Sequence, residues 1–192
     1  MLNIVIFGKP GSGKGTQASL IKDKYGLIHI STGDIFRKNI SQDSSLGNQA
    51  KEYMSKGELV PDKITIGMLE TEIKNSIPCN GFIFDGFPRT ILQANSLDEL
   101  LKNNNISIDI VVELEVKNKA LIERLLNRGK TSGRPDDQSE TKIYKRLEEY
   151  DSKTKPLVKF YQNQQKFYSI DGVGDFFDVT KRLTTKIDST TQ

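Results

Sequence analysis

The chain has 192 residues, of which 35% are hydrophobic, which is enough for one full hydrophobic core but not for two independent domains. Its 28 basic and 25 acidic residues leave a formal net charge of +3, so the composition gives no reason to expect a nucleic-acid-binding surface. A single cysteine, Cys79, and a single histidine, His29, exclude an intramolecular disulfide, a Cys/His zinc cluster and a pair of histidines acting on one substrate.

The sequence has no segment typical of secretion or of membrane insertion. Its first residues, MLNIVIF, carry no basic residue before their apolar run, and Lys9 follows too soon for the core of a signal peptide. No later stretch approaches the roughly 20 apolar residues of a membrane-spanning helix. We therefore expect a soluble, cytoplasmic protein that binds no membrane, with a frayed polar tail at 188–192.

Short apolar runs alternate along the chain with longer stretches of helical periodicity. The predicted strands are 2–7, 27–30, 81–84, 108–114 and 167–170. This alternation predicts an α/β fold with a five-stranded parallel sheet wrapped by helices. Helix starts are predicted at Ser31, near Pro61, and at Asp137, three residues before Glu140. Pro156 is expected to break or kink the long helix on the carboxyl side.

Two segments do not fit this alternation of strands and helices. Residues 31–60 have a helical pattern but are polar and contain no strand of their own, and residues 128–137 have the composition of a loop. We interpret both segments as candidate movable flaps. His29 and Cys79 are expected to be packing residues, on a strand and in a loop.

The segment GKPGSGKGTQ at 8–17 lies between the first predicted strand and a helix expected to begin near Gly15. It matches a phosphate-binding loop, because glycines let backbone N–H groups converge on phosphate oxygens while Lys14 adds positive charge and the helix N-terminus adds its dipole. The usual pattern places Ser or Thr directly after the lysine. Here Gly15 stands at that position and the hydroxyl, a common Mg²⁺ ligand, comes one residue later at Thr16.

Arginine is scarce in the chain and is placed selectively. Seven of the 28 basic residues are arginines. Six of them lie at or beside loops and helix ends near the predicted flaps: Arg37, Arg89, Arg124, Arg128, Arg134 and Arg146. Because a guanidinium can bind phosphate oxygens through two hydrogen bonds, this placement indicates a site for phosphoryl transfer, which must hold two anionic groups together. Asp85 ends the third strand, as expected for a carboxylate near a nucleotide-bound Mg²⁺.

Six motifs in order span almost the whole chain: GKPGSGKGTQ, STGDIFR, GELVPD, FDGFPRTILQA, RLLNRGKTSGRPDD and KRL. This ordered set resembles the adenylate kinase family of nucleoside monophosphate kinases. The resemblance implies a P-loop NTPase fold with a core (1–30, 61–127, 138–192), an inserted NMP-binding flap (31–60) and a short lid (128–137). It also implies a monomeric transferase that moves a phosphoryl group reversibly from MgATP to AMP, giving two ADP, in nucleotide biosynthesis and adenine nucleotide homeostasis.

The same resemblance implies roles for individual residues on the ATP side and in catalysis. The residues around the transferring group would be Lys14, Asp85, Arg89, Arg134 and Arg146. ATP would be bound by Gly11, Ser12, Gly13, Lys14, Gly15, Thr16, Arg124 and Arg128, and by the backbone of Gly174. Mg²⁺ would come with ATP and be held largely through water, with Asp85 ordering the water shell. The short lid has no cysteine cluster, so no zinc is expected.

The residues that the resemblance assigns to AMP come from the flap, the turn after the third strand and the arginines. They are Thr32, Arg37, the backbone of Glu58, Leu59 and Val60, Gly86, Phe87, Pro88, Arg89, Gln93, Arg134 and Arg146. AMP is favoured over UMP and CMP because the Gln93 amide can pair with an adenine edge, and because similar pyrimidine kinases usually have alanine at Thr32 and asparagine at Thr90. Without the surrounding motifs, Gln93 would be interpreted as a solvated glutamine and Thr32 as a helix cap.

Several interpretations remain open at the level of sequence. Asp136 and Asp137 either pair with the lid arginines or, for Asp137, form a capping box with Glu140. A kinase for a pyrimidine monophosphate is the nearest alternative function. A nucleotide-dependent switch that hydrolyses ATP or GTP slowly is another, although the chain has no NKxD motif to read guanine and carries a second set of anion-binding arginines.

Overall fold

Five parallel strands form one sheet in the computed structural model, which describes residues 1–190. The strands are β1 (Leu2–Gly8), β2 (Ile28–Ser31), β3 (Gly81–Asp85), β4 (Ile110–Glu115) and β5 (Phe167–Asp171). Their order across the sheet is β2-β3-β1-β4-β5, and every pairing is parallel. The predicted five-stranded parallel sheet is thereby confirmed. The strand order changes direction around β1, and in such sheets ligands bind in the crevice beyond the carboxyl ends of the strands at this point.

Helices connect the strands and cover both faces of the sheet. The helices are α1 (Lys14–Tyr25), α2 (Thr32–Ser41), α3 (Ser45–Lys56), α4 (Asp62–Ser76), α5 (Ile91–Asn103), α6 (Asn118–Ser132), α7 (Glu140–Glu149), α8 (Leu157–Asn163) and α9 (Phe176–Thr190). A π-helical segment, Tyr150–Thr154, follows α7 directly. Pro156 immediately precedes α8, so the predicted break is confirmed. Among residues 1–190, no helix is both long enough and apolar enough to cross a membrane.

Two of the three predicted helix starts are confirmed. Ser31 caps α2 by accepting a hydrogen bond from the backbone N–H of Asp34, and Pro61 directly precedes α4. The start predicted at Asp137 is wrong, because α7 begins at Glu140 after Ser139. The Asp137 carboxylate is bound by two guanidinium groups instead, and hydrogen bonds from charged donors are stronger than those from a neutral backbone N–H.

Residues 128–132 are helical, so the loop expected at 128–137 is wrong over its first half. Helix α6 continues through Gly129 and ends at Ser132, followed by Gly133 as its C-cap with φ 64°. Gly129 allows a close approach, since a Cβ there would lie 2.5 Å from the carbonyl oxygen of Asp137. The tail expected to be frayed at 188–192 is helical up to Thr190, where α9 ends. Asp188 accepts hydrogen bonds from Tyr25 and Lys24. Residues 191–192 lie outside the described part of the chain.

The sheet is buried on both faces, as the apolar sequence of β1 predicts. Ile4, Val5, Ile6 and Phe7 are each at most 4% exposed. Val5 and Phe7 belong to one hydrophobic cluster, whereas Ile4 and Ile6 belong to the cluster on the opposite face. Cys79 packs against the first of these clusters, which confirms its packing role. A third, smaller cluster joins α2 and α3 to the start of α4.

Two glycines in neighbouring helices provide a matched test of this packing. A Cβ on Gly47 would lie 2.2 Å from the carbonyl oxygen of Asn39, whereas a Cβ on Gly67 would meet nothing within 4 Å. We expect Gly47→Ala to lower the free energy of unfolding by about 1–3 kcal/mol through overpacking. Gly67→Ala should raise it by about 0.5–1 kcal/mol, because alanine favours a helix interior. Urea unfolding followed by circular dichroism measures both, and shifts of the same sign would contradict the packing described.

Candidate active site

The loop between β1 and α1 forms one wall of an open cavity at the carboxyl ends of the strands. Gly8, Gly11 and Gly13 all have positive φ, which glycine adopts without strain. A Cβ on Gly11 would come within 3.0 Å of Leu125 in α6, so only a glycine lets the loop approach this helix. Helix α1 begins at Lys14 and directs its free N-terminal N–H groups towards the cavity mouth, which is the arrangement of an anion site.

The cavity has a volume of about 990 Å³ and is lined mainly by the residues that the sequence singled out. From the loop and α1 come Gly11, Gly13, Lys14, Gly15 and Thr16, and from elsewhere Arg37, Asp85, Gly86, Arg89, Arg128, Arg134 and Arg146. Five arginines and one lysine therefore meet around one space. Such a density of donors suits a ligand with several negative charges.

Lys14 is affected most strongly by this crowding. Burial lowers the pKa of its ammonium group to about 8, and the positive charges of Arg89 and Arg146 act in the same direction. The carboxylate of Asp85 opposes them. The low pKa means that the protein does not fully stabilise the positive charge of Lys14. A bound anion would stabilise this charge.

Asp85 lies at the end of β3 and is 6% exposed. Burial raises the pKa of its carboxyl, but His29 and Lys14 outweigh burial and the pKa lies below its ordinary value. His29 Nε2 lies 3.7 Å from Asp85 Oδ2, so the histidine also borders this carboxylate. A Cβ on Gly15 would lie 3.3 Å from the same oxygen, and the glycine therefore leaves room beside the carboxylate.

Asp85 and Thr16 together suit a hydrated Mg²⁺. An ionised carboxylate and a hydroxyl are the hard oxygen ligands that Mg²⁺ prefers, and Mg²⁺ usually keeps several of its waters in protein sites. Both residues line the cavity. In the part of the chain that the structure describes, no three His, Cys, Asp or Glu side chains are grouped closely enough to hold a metal ion by themselves.

Arg89 is held in place by hydrogen bonds of both its side chain and its backbone. Its Nε donates a hydrogen bond of 2.8 Å to the carbonyl of Gly86, and its carbonyl accepts one of 3.1 Å from Thr154. Thr32 Oγ1 donates to the same Gly86 carbonyl at 2.9 Å, so this hydroxyl is not a helix cap. A Cβ on Gly86 would lie 2.9 Å from both Thr32 Oγ1 and Arg89 Nη2, so a residue with a side chain would displace one of these groups.

Asp137 links α6 to α7, because it binds one arginine from each helix. Arg128 Nε donates to Asp137 Oδ2 at 2.6 Å, and Arg146 Nη1 donates to Oδ1 of the same carboxylate. Arg146 also pairs with Asp136 at 3.0 Å. Burial raises the pKa of Asp137, but Arg128 and Arg146 hold it below its ordinary value. Asp137 thus pairs with a lid arginine, Arg128, and forms no capping box, whereas Asp136 pairs with Arg146 of α7 and not with a lid arginine.

Asp34 makes a similar connection between the predicted flap and the predicted lid. Its Oδ1 accepts a hydrogen bond from Arg37 within α2 and lies 3.8 Å from Nη2 of Arg134. Both contacts are partly exposed to solvent, so each is weak by itself. This role of Asp34 could not be predicted from sequence, although the residue lies inside the motif STGDIFR.

A second pocket, of about 370 Å³, opens between the flap and the turn after β3. It is lined by Thr32, Gly33, Phe36, Met54, Glu58, Leu59, Val60, Thr65, Gly86, Arg89 and Gln93. Gln93 is only 2% exposed, so it is not a solvated glutamine. Phe87 is 1% exposed and its ring belongs to the core. Pro88 lines the adjoining space of about 750 Å³, which connects this pocket with Lys14.

Four predicted site residues do not line these cavities: Phe87, whose ring belongs to the core, and Ser12, Arg124 and Gly174. Arg124 is exposed on α6, and Gly174 is exposed before α9 with φ 119°. The Ser12 hydroxyl is buried and has no hydrogen-bond partner. Two further residues were not predicted: Gly33, which lines all three spaces, and Asp62, which accepts hydrogen bonds from Gln93 and Thr90. The motifs contain both residues, but nothing local indicated a role for either.

Comparisons with known proteins all point to one family. The family model described as Adenylate kinase matches residues 6–166. An adenylate kinase of Flavobacterium psychrophilum is 51% identical over 189 residues, which cover 98% of this chain and 100% of that protein. One from Flavobacterium johnsoniae is 52% identical with the same coverage. One from Parabacteroides distasonis is 45% identical over 98% of this chain and 99% of its own length.

The pKa of Lys14 predicts how anion binding depends on pH. As pH rises through about 8, the free protein loses this positive charge, so sulfate affinity should fall by up to about tenfold per pH unit. Sulfate is a suitable probe because its own charge does not change in this range. Titration calorimetry between pH 7 and pH 9 would measure the fall. The matched variant Lys14→Arg keeps its charge and should remove the pH dependence; an unchanged profile would assign the effect to another group.

Proposed function

The chain belongs to the adenylate kinase family, and we propose that its glycine loop, arginines and Asp85 perform the family's reaction. That reaction is the reversible transfer of a phosphoryl group from ATP to AMP, giving two ADP. One observation carries the assignment of roles: Lys14, Arg89 and Arg146 line both the central cavity and the adjoining space that leads to the second pocket. A phosphoryl group could therefore pass between two anions without leaving the same set of donors.

The chemistry requires positioning more than proton transfer. A nucleotide phosphate acceptor is already anionic at neutral pH, so no base has to deprotonate it before attack. Lys14 and the loop N–H groups would hold the donor phosphates, while Arg89, Arg134 and Arg146 would neutralise charge on the group in flight. Mg²⁺, held through water near Asp85 and Thr16, would supply further neutralisation of the donor phosphates.

The two nucleotides would occupy the two sides of this charged centre. We assign ATP to Gly11–Thr16 and Arg128, which line the central cavity, together with Arg124 and the Gly174 backbone. These last two would have to meet the ligand at the rim. AMP is assigned to the second pocket, with Arg37 near its phosphate and Gln93 at its base. The Glu58–Val60 backbone and the turn Gly86–Arg89 would complete the AMP site.

Closure of the flap (31–60) and the lid (128–137) would exclude water from the reaction. Water inside the site would accept the phosphoryl group and hydrolyse ATP, so closure before transfer is needed. The contact between Asp34 of the flap and Arg134 of the lid supports this proposal, because it already spans the two segments. We further propose a monomer that works in the cytoplasm with ATP, AMP and ADP as its small-molecule partners, without nucleic acid, membrane or zinc.

An ADP-forming assay with MgATP tests the function and the role of Lys14 together. AMP, UMP, CMP and no acceptor are compared, and we expect ADP formation to require AMP. Lys14→Met and Arg89→Ala should each lower kcat by about 100- to 1,000-fold, as expected for a lost charged donor. Lys22→Met, which removes an exposed lysine from the same helix as Lys14, is the matched control and should retain wild-type turnover.

Other outcomes would identify an alternative function. A preference for UMP or CMP would indicate a pyrimidine monophosphate kinase. Hydrolysis that proceeds equally without any acceptor would indicate a nucleotide-dependent switch. Near-normal turnover of Lys14→Met or Arg89→Ala would contradict the role assigned to that residue.

A further inference from the structure

We propose that Asp62 is a positioning residue that locks the Gln93 side-chain amide in one orientation and thereby makes the acceptor site select 6-aminopurines over 6-oxopurines. The inference rests on the proposed function, in which Gln93 meets the base of the monophosphate. Asp62 opens α4 and closes the motif GELVPD. It does not line the pockets, so it would act through Gln93 and not on the ligand.

Two short hydrogen bonds hold the two ends of the Gln93 amide. Nε2 donates to Asp62 Oδ1 at 2.7 Å, and Oε1 accepts from the backbone N–H of Arg89 at 2.7 Å. The other carboxylate oxygen of Asp62 accepts from the Thr90 hydroxyl at 2.8 Å. That hydroxyl in turn accepts from the backbone N–H of Gln93, which caps α5. The carboxylate is therefore itself held in place from α5.

The partners determine which end of the amide faces which way. A carboxylate only accepts hydrogen bonds, so it must face the NH₂ end of Gln93, and a peptide N–H only donates, so it must face the oxygen. Rotating the amide by half a turn would oppose Oε1 to the Asp62 carboxylate and Nε2 to the Arg89 N–H. Both contacts would become repulsive, and the buried polar atoms would lose their partners.

The locked amide keeps one free donor and one free acceptor. Nε2 has a second hydrogen and Oε1 a second lone pair, and Gln93 lines the second pocket. Adenine offers a matching edge, because N1 accepts a hydrogen bond and the 6-amino group donates one. Hypoxanthine has the opposite pattern, N1–H with a 6-oxo group, and would need the rotated amide. Asp62, together with the Arg89 N–H, thus converts a side chain that could read either base into one that reads adenine.

The test compares AMP with IMP, two acceptors that differ only at this edge of the base. The measured quantity is the ratio of kcat/KM for AMP to kcat/KM for IMP. In Asp62→Asn the new amide can donate to Gln93 Oε1, so the rotated orientation loses one of its two repulsive contacts, and only the one with the Arg89 N–H remains. We expect the ratio to fall by about tenfold, mainly through a gain with IMP, while kcat with AMP stays close to wild type.

Two further variants keep the test decisive. Asp62→Ser introduces a hydroxyl that also both donates and accepts, and serine is tolerated at a helix start, so it replaces Asp62→Asn if that variant does not fold. Glu70→Gln removes a carboxylate from the same helix, where it pairs with exposed Lys74. This control should leave the ratio unchanged. Thermal melts of all variants report on folding.

The results separate failure of this inference from failure of the proposed function. If Asp62 only anchors α4 to α5, kcat/KM for both acceptors will fall together and the ratio will stay constant, which overturns the inference. Gln93→Leu should also lower the ratio. If Gln93→Leu lowers it and neither Asp62 variant does, the acceptor site is correct and the lock is wrong. If Gln93→Leu leaves the ratio unchanged, the placement of the base fails, and the lock with it.

Discussion

Concentrated positive charge is the constraint on which the rest of the site depends. One lysine and five arginines surround the central cavity, and their mutual repulsion lowers the pKa of Lys14 and of Arg89 in addition to the effect of burial. Such an arrangement would be unfavourable in a folded protein without counter-charges. Asp34, Asp85, Asp136 and Asp137 provide them, each within reach of at least one of these cations.

The fold brings this charge together through the ends of the parallel strands. Gly8 ends β1 and Asp85 ends β3, and these neighbouring strands place the glycine loop beside the carboxylate. The sheet is buried on both faces, so its strands cannot shift without disrupting two hydrophobic clusters. The arginines come instead from helices and connecting segments around this rigid edge. The anion-binding groups on the sheet edge and those on the flap and lid, which we propose to move, are thus carried by different parts of the chain.

Local sequence patterns were sufficient for the strands, the glycine loop, Lys14 and Asp85. Each of these is signalled by residues within one short window, such as an apolar run or glycines at fixed spacing. The pairing of Asp34 with Arg134 and of Asp62 with Gln93 could not be predicted, because it joins segments far apart in sequence. Gly129 shows the same limit. The composition of residues 128–137 suggested a loop, but Gly129 lies inside a helix, where the close approach of the Asp137 backbone requires a glycine.

The carboxylates around the site differ in how they relate to a nucleotide. Asp34, Asp136 and Asp137 bind guanidinium donors that phosphate would also use, so an incoming phosphate must compete with them or share the arginine. The hydrogen bond from Gln93 to Asp62 uses only one of the two amide hydrogens, so a base can bind without displacing the carboxylate. Competition of the first kind would couple phosphate binding to movement of the lid and flap. The second kind leaves the amide fixed, so that its orientation does not have to change when a base binds.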